Sequence, residues 1–523
     1  RVNLSDTMTA RPGNELTVGN VPRHAARIMP AKCALDDGRR QLTFRELDEQ
    51  VERLAGALVA SGAGKGDVVC AYLPNCIEYV LVVLAVARAG AVFSPINPRF
   101  KAYEISRVLN RARPHVIFTT RDLAATAREA RRLADRDETL LVIVDPGDSG
   151  ISRSCTLDEF LAQPQQPAPE VREGDFFSLM FTSGTTGEPK GALATHRARM
   201  LWVLNAAIQY GLSEGDIYLG TMPQVHSAGL TFTLMHLYVG ATVRILEHFD
   251  PLRFLEIVDQ EKVTSSLTVP TMLTMILEAL ESSPGSYSLS SLKRVVTCGA
   301  PFPFVTKRRV IEKISDQLYD YYGSTESNSM SVLMPVDQLR KPGSVGQPFT
   351  NVEIMIAGQD GKSLPPGQVG EIWCSNPSLL SCYVDEPGET EAAFTGRWFH
   401  TGDLGYLDDE NYLYIAGRSK DLIISGGVNI YPAEIEQMLM AHPAVLDCAV
   451  IGVPDPKWGQ AVKAFVVLRA GHRIDLQAVQ EHCSQYLADF KKPRFLELVA
   501  EIPKNAGGKA VKTLLLRDQK QVA

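Results

Sequence analysis

The sequence predicts a multidomain α/β protein: a large N-terminal part of helix-covered sheets, a small antiparallel β unit, and a small α/β part at the C-terminal end. Three observations carry this. The chain has 523 residues, too many for a single hydrophobic core. Short apolar, strand-like runs alternate with helical patterns up to about Lys341. Beyond it the runs shorten and are broken by Gly and Asp turns, and from Asp421 a compact alternation restarts.

The elements follow in order. Leu42 to Gly62 has apolar residues at helical spacing, opens at Thr43 with a capping-box Glu46, and ends in glycine. "DVVCAYLPN" reads as a strand. The apolar run "YVLVVLAVARAGAVF" from Tyr79 is too short for a membrane span and carries Arg88, so it reads as a buried helix leading into the strand "AVFSPIN". "HVIFTT", "LLVIVD", "TVRILE", "SSLTVP" and "RVVTCGA" continue the strands, with helical stretches such as "LRFLEIVDQEK" between them. "VEIMIAG", "GEIWCSN" and "WFHTGDLGYLDDENYLYIAG" form the antiparallel unit. Next come a helix "PAEIEQMLMAH" with Pro432 in its first turn, strands "DCAVIGV" and "KAFVVLR", a helix "DLQAVQEHCSQYLA" and a strand "RFLELVAEI". No repeat interrupts this order, and a boundary falls near Arg418 to Asp421.

Composition narrows the function classes. With 45% hydrophobic and 22% charged residues the chain is ordinary for a globular protein, and its net charge of −7 offers no bulk attraction to nucleic acid or an anionic membrane. Nine cysteines form no C-x-x-C pair, which reads as reduced cytosolic thiols rather than a disulfide frame or zinc site. The start "RVNLSDTMTARPG" lacks an apolar signal region; Met8 reads as the native start and Arg1 to Thr7 as an appended remnant. The expected compartment is the cytoplasm.

The most informative stretch is "FTSGTTGEPKG", Phe181 to Gly191. Backbone N–H groups, the hydroxyls of Thr182, Ser183, Thr185 and Thr186, the flexible Gly184 and Gly187, and one cation at Lys190 suit a polyphosphate. It is not a Walker A loop, because Lys190 is followed by Gly-Ala-Leu-Ala rather than by a helix start, which comes only near His196.

Here the chain resembles the adenylate-forming enzymes: acyl- and aryl-CoA ligases, luciferases and stand-alone adenylation domains. "TSGTTGEPKG" is similar to that family's phosphate loop, "VVTCGAP" to its adenine-wall strand end, and "YDYYGSTES" to its aromatic-Gly-x-Thr-Glu motif. "HTGDLGYLDDENYLYIAGRSKDLIISGGVNIYPAEIE" resembles its ribose and hinge segment, and "PKNAGGKAVK" stands where its catalytic lysine motif belongs. The five occur in the family's order, and the resemblance spans roughly Leu42 to Leu516. Two departures are Cys298 before Gly299, read as a small packed thiol, and Gly507 where threonine is usual.

The resemblance implies two helix-covered β-sheets plus the antiparallel unit in a domain 8–417, a hinge 418–421, and a mobile C-terminal domain 422–518. It implies that a carboxylate joins the α-phosphate of ATP, releasing pyrophosphate, and that a thiol then displaces AMP. Glu326 would hold Mg²⁺ and Thr325 would donate to the α-phosphate. Gly299, Ala300, Pro301, Asp320, Tyr321, Tyr322, Gly323 and Ser324 would line the nucleotide, with Tyr322 stacked on adenine. Asp403 and Arg418 would take the ribose, and Lys509 would neutralise charge between carboxylate and α-phosphate, with Lys504 and Lys512 weaker candidates. Lys420 would be the hinge, and Ser425, Gly426 and Gly427 would line the CoA channel. His226, Ala228, Gly229, Gly299 and Gly323 would wall the acyl pocket, with room for an acid larger than acetate. The expected activity is acyl- or aryl-CoA formation. Loading the phosphopantetheine of a carrier protein is the rival enzyme reading; a nucleotide-binding regulator without catalysis is the non-enzymatic one, disfavoured by Lys509, Glu326 and Asp403 occurring together.

Overall fold

The computed structural model describes residues 15–145, 152–183, 189–425, 428–485, 487–504, 510–512 and 514–515. The chain divides into two compact units: Arg1–Leu267 with Ser324–Asn328 and Asn376–Ala392, and Thr268–Gly323 with Ser329–Ser375 and Ala393–Ala523.

In the first unit an eight-stranded sheet runs in the order Cys382–Tyr383, Pro189–Thr195, Phe176–Ser183, Val92–Pro95, Val68–Tyr72, Val116–Thr119, Leu140–Ile143, Ser154–Thr156. From Phe176–Ser183 onward neighbours are parallel, whereas Pro189–Thr195 is antiparallel to both its neighbours. A second set of strands pairs Ile217–Gly220 in parallel with Thr242–Ile245 and with Ser265–Thr268. Helix Phe44–Ala60 begins with the expected capping box: Thr43 Oγ1 accepts from Glu46 N at 3.3 Å and Glu46 Oε2 accepts from Thr43 N at 2.8 Å. It packs against helix Ile77–Arg88, the apolar run of the sequence. Arg88 is buried there, paired with Asp48 at 2.5 Å and Glu52 at 3.1 Å and donating to Gly19 O at 2.7 Å, so its charge is satisfied within the fold.

In the second unit, Arg294–Cys298 pairs in parallel with Leu318–Ser324. A five-stranded antiparallel sheet holds Glu353–Ala357, Gly370–Ser375, Trp398–Leu407 and Phe394–Thr395, with Leu413–Arg418 also on Trp398–Leu407. From Ile423 a further sheet restarts around the hairpin Val445–Asp455/Gly459–Leu468, covered by Pro432–Met440 and Leu476–Ser484. Its two faces alternate as a period of two demands. Val450, Val462 and Val466 pack with Ile435 and Val479, whereas Ala449, Ile451 and Phe465 pack with Ile502 and Leu515. Among the described residues no helix is long and apolar enough to cross a membrane.

His196, first residue of helix His196–Gln209, is fully buried, and its Nδ1 accepts from Val18 N at 3.2 Å. Burial pushes the imidazole down to about 4. Between that value and the unfolded value of about 6.5 the unfolded chain binds the extra proton, so stability is present at neutral pH and is lost as pH falls through this window. Urea unfolding at pH 7 and pH 5 is expected to show the loss, and His196→Asn, which keeps an acceptor but cannot titrate, is expected to reduce it.

Candidate active site

Strands Phe176–Ser183 and Pro189–Thr195 form an antiparallel hairpin in which Thr182 faces Lys190. The lysine therefore lies on a strand, six residues before the helix, whose N-cap Thr195 accepts from Ala198 N at 3.1 Å. Gly184, Thr185, Thr186 and Gly187 lie outside the described residues, as does the side chain of Ser183. At the hairpin's described end, Thr182 Oγ1 donates to Glu326 Oε1 at 3.1 Å, joining two motifs separated by 144 residues. Lys190 Nζ pairs with Glu389 Oε2 at 2.5 Å and lies 5.7 Å from the Tyr383 ring centroid. Burial, then the carboxylates of Glu326 and Glu389, push the Tyr383 phenol well up.

The turn that presents Thr325 and Glu326 is tied by reciprocal serine bonds. Ser324 N donates to Ser327 Oγ and Ser327 N to Ser324 Oγ, each at 3.1 Å. Leu380 N donates to Glu326 O at 2.8 Å, which fixes the backbone beneath the carboxylate. Thr325 and Glu326 are both half-buried.

The second unit holds a separate polar cluster. Tyr322 donates its hydroxyl to Asp403 Oδ2 at 2.5 Å, and Arg418 Nε meets Asp403 Oδ1 at 3.0 Å. The strand register creates this contact, since Asp403 and Arg418 face each other across the hairpin Trp398–Leu407/Leu413–Arg418. Burial first, and then the Asp403 charge, raise the Tyr322 phenol far above its usual value. Asp320 is buried and bonded to Lys307 at 2.8 Å in an internal ion pair. Burial still raises its carboxyl, with Lys307 opposing. Tyr321 is buried, Gly323 half-buried, and Gly299, Ala300 and Pro301 are exposed after strand Arg294–Cys298. Gly299 has φ +87°, a backbone that glycine adopts without strain.

The remaining predicted residues spread further. His226 precedes helix Ser227–Tyr238, where burial and then Arg99 push its imidazole down and favour the neutral ring. Ala228 is half-buried. A Cβ on Gly229 would lie 2.5 Å from Pro223 O, so this glycine serves close packing of the helix start. Lys420 sits in the single turn Ser419–Asp421. Ser425 faces Val428 across a hairpin whose Gly426 and Gly427 lie outside the described residues, as does Lys509. Its neighbours Lys504 and Lys512 pair with Asp447 and Glu436 at 2.7 and 2.8 Å.

Sequence reasoning missed Tyr383, Glu389, Lys307 and Arg199. Arg199 is fully buried, donates to Ser227 Oγ at 2.9 Å and Thr231 Oγ1 at 2.6 Å, and so braces the helix that begins after His226. Burial pushes its guanidinium down to about 10. Nothing in "DEPGETEAAF" marks Glu389 apart from its acidic neighbours; only the pairing of Cys382–Tyr383 with Leu193 and Ala192 brings it to Lys190.

Residues 22–384 match the family model of AMP-binding enzymes, and 434–509 match that of the AMP-binding enzyme C-terminal domain. The chain belongs to the AMP-binding enzyme family. Within the adenylate-forming superfamily it falls in the acyl- and aryl-CoA synthetase branch. It is 36% identical over 500 residues to a feruloyl-CoA synthase from Amycolatopsis sp, covering 95% of this chain and 97% of that protein. Its fold is similar to the o-succinylbenzoate CoA synthetase of Bacillus subtilis in complex with its acyl-adenylate intermediate, with TM-score 0.84 and 29% identity over 97% of this chain and 98% of that one. It is also similar to an amide bond synthetase from Marinactinospora thermotolerans, with TM-score 0.86 and 28% identity over 96% of this chain and 99% of that one.

Removing Lys307 would strand a buried carboxylate. Lys307→Met is expected to cost roughly 3–5 kcal/mol in urea unfolding at pH 7. The loss is expected to shrink at lower pH, where the raised Asp320 carboxyl takes up its proton in the folded state first.

Proposed function

We propose that these two polar clusters serve an AMP-forming acyl-CoA synthetase that joins a carboxylic acid larger than acetate to coenzyme A. The observation that supports the residue assignments is the Thr182–Glu326 bond between strand Phe176–Ser183 and the Thr325–Glu326 turn. In the first half-reaction a carboxylate oxygen bonds to the α-phosphorus of ATP and the bond to the β-phosphate oxygen breaks, releasing pyrophosphate. In the second the CoA sulfur bonds to the acyl carbon, its proton is lost, and AMP leaves with the carboxyl oxygen.

Both steps bring anions together, so the chain's work is positioning and charge neutralisation. Lys190 and the hydroxyls of residues 182–186 hold the β- and γ-phosphates, and Thr325 donates to the α-phosphate. The oxygen donors Glu326 and Thr182 suit a hard cation; Glu326 would hold Mg²⁺, which would supply countercharge to the phosphates. Asp403 and Arg418 accept from and donate to the ribose, and Tyr322 lies against adenine. The Asp403 carboxylate offers about four lone-pair sites, so its bonds to Tyr322 and Arg418 leave acceptor capacity for the sugar hydroxyls.

Lys509 is the charge-neutralising residue of adenylation. Domain 422–518 turns about Lys420 in hinge 418–421 and presents Ser425, Gly426 and Gly427 to the pantetheine arm for thiolation. His226 and Ala228 wall the acyl pocket from the start of helix Ser227–Tyr238. A reducing, cytoplasmic setting is supported by nine cysteines that are all free.

A carboxylic-acid panel scored by hydroxamate formation, and repeated with CoA and with carrier proteins, tests the reading. Medium-chain and aromatic acids are expected to outpace acetate, with CoA as acceptor. Acetate turning over best, or acylation of carrier proteins alone, would contradict it. Lys509→Ala is expected to slow adenylation by roughly 10²–10³-fold while thiolation of a supplied acyl-adenylate stays near the original rate. Equal loss of both half-reactions counts against domain alternation. Asp403→Asn, which weakens charge-assisted bonds worth about 1.5–3 kcal/mol each, is expected to raise KM for ATP about tenfold or more in initial-rate assays.

A further inference from the structure

Segment Asn376–Ala392 belongs to the first compact unit. Its strand Cys382–Tyr383 pairs with the outer edge of Pro189–Thr195, and helix Pro387–Ala392 follows. Two of its side chains engage Lys190, the cation assigned above to phosphate. Lys190 Nζ lies 5.7 Å from the Tyr383 ring centroid, and the Glu389 carboxylate meets Lys190 Nζ at 2.5 Å across 199 residues of chain.

The backbone that carries Glu389 is tied down on both sides. Tyr383 N donates to Thr390 Oγ1 at 3.0 Å, Thr390 Oγ1 donates to Glu386 O at 3.0 Å, and Arg111 pairs with Glu386 at 2.8 Å while donating to Val384 O at 3.2 Å. The Glu389 side chain, by contrast, is 42% exposed, whereas that of Lys190 is 17% exposed. A rigid segment thus aims a partly solvated, exchangeable carboxylate at a mostly buried ammonium.

We infer that Glu389 is a placeholder anion for the phosphate loop. It neutralises Lys190 when no nucleotide is bound, yields the ammonium to the β- and γ-phosphates of ATP, and takes it back as pyrophosphate leaves. The inference rests on the assignment of Lys190 to those phosphates. A mostly buried ammonium needs a counter-anion, and a triphosphate, with more charge and more acceptors than one carboxylate, displaces it. Glu389 is therefore a positioning residue, acting on ATP entry and pyrophosphate release through Lys190.

The test uses the full-length enzyme, with ATP and pyrophosphate binding measured by calorimetry and pyrophosphate product inhibition measured in steady state. Glu389→Gln keeps the shape and removes the charge. It is expected to tighten ATP and pyrophosphate roughly two- to fivefold, the range of a part-exposed ion pair, and to strengthen pyrophosphate inhibition in proportion. Glu389→Ala is expected to act in the same direction, with near-ultraviolet circular dichroism confirming the fold of both variants. In a Lys190→Ala background neither substitution is expected to move either affinity. Folded Glu389 variants that bind ATP and pyrophosphate no more tightly than the original, while Lys190→Ala weakens both, would overturn the placeholder role alone. Unchanged ATP and pyrophosphate binding in Lys190→Ala would overturn the phosphate-loop assignment and the placeholder with it.

Discussion

The backbone pairing of Phe176–Ser183 with Pro189–Thr195 is the constraint on which the first unit's polar cluster depends. One side of Phe176–Ser183 is held in parallel by Val92–Pro95, where Phe93 faces Ser178, and the other by its own hairpin partner. Phe177, Ser178, Leu179 and Met180 are all buried, so both faces of the strand are packed; a one-residue slip would exchange those faces and move Lys190 away from Thr182. The outer edge of the hairpin is closed by Cys382–Tyr383, which satisfies backbone groups that an open edge would expose. The closing strand also delivers Tyr383 and, six residues on, Glu389. Edge protection and the positioning of charge are here one event.

The carboxylates of the second unit obey a related rule. A buried charge costs several kcal/mol unless it is paired, and two acids there, Asp320 and Asp403, have partners set by strand or helix geometry. Lys307 on helix Phe304–Lys313 meets Asp320 on strand Leu318–Ser324. Asp403 and Arg418 meet because their hairpin register makes them opposite residues, and Tyr322 adds its hydroxyl. The two acids differ in what they can still do. Asp320 is closed off by burial, while Asp403 retains acceptor capacity and its Arg418 partner is 44% exposed.

Much of the fold was legible in the sequence because periodicity and turn chemistry are local. The capping box at Thr43, the buried helix through Arg88, the helix start after Thr195 and the short antiparallel strands beyond Lys341 appear as those patterns imply. The antiparallel return after Lys190 was less legible, since "GALA" carries no strand signature apart from its pairing. Asp320 could not be separated from its neighbours in "YDYYGSTES", because the lysine that occupies it stands thirteen residues earlier on another element. The close packing of Gly229 against Pro223 O emerges only from the helix position.

By itself the sequence determined the kinds of chemistry present and their order: a phosphate-suited loop, a Thr-Glu pair, an Asp and Arg fifteen residues apart, and an α/β alternation to carry them. Those follow from residue type and short-range spacing. Tertiary structure alone decided which charges meet. Lys190 faces Glu389, Thr182 faces Glu326, and Asp320 turns to Lys307, although 199, 144 and 13 residues separate the members of each pair. Strand register and edge pairing bring such groups within hydrogen-bond distance, and neither is encoded in any single stretch of chain.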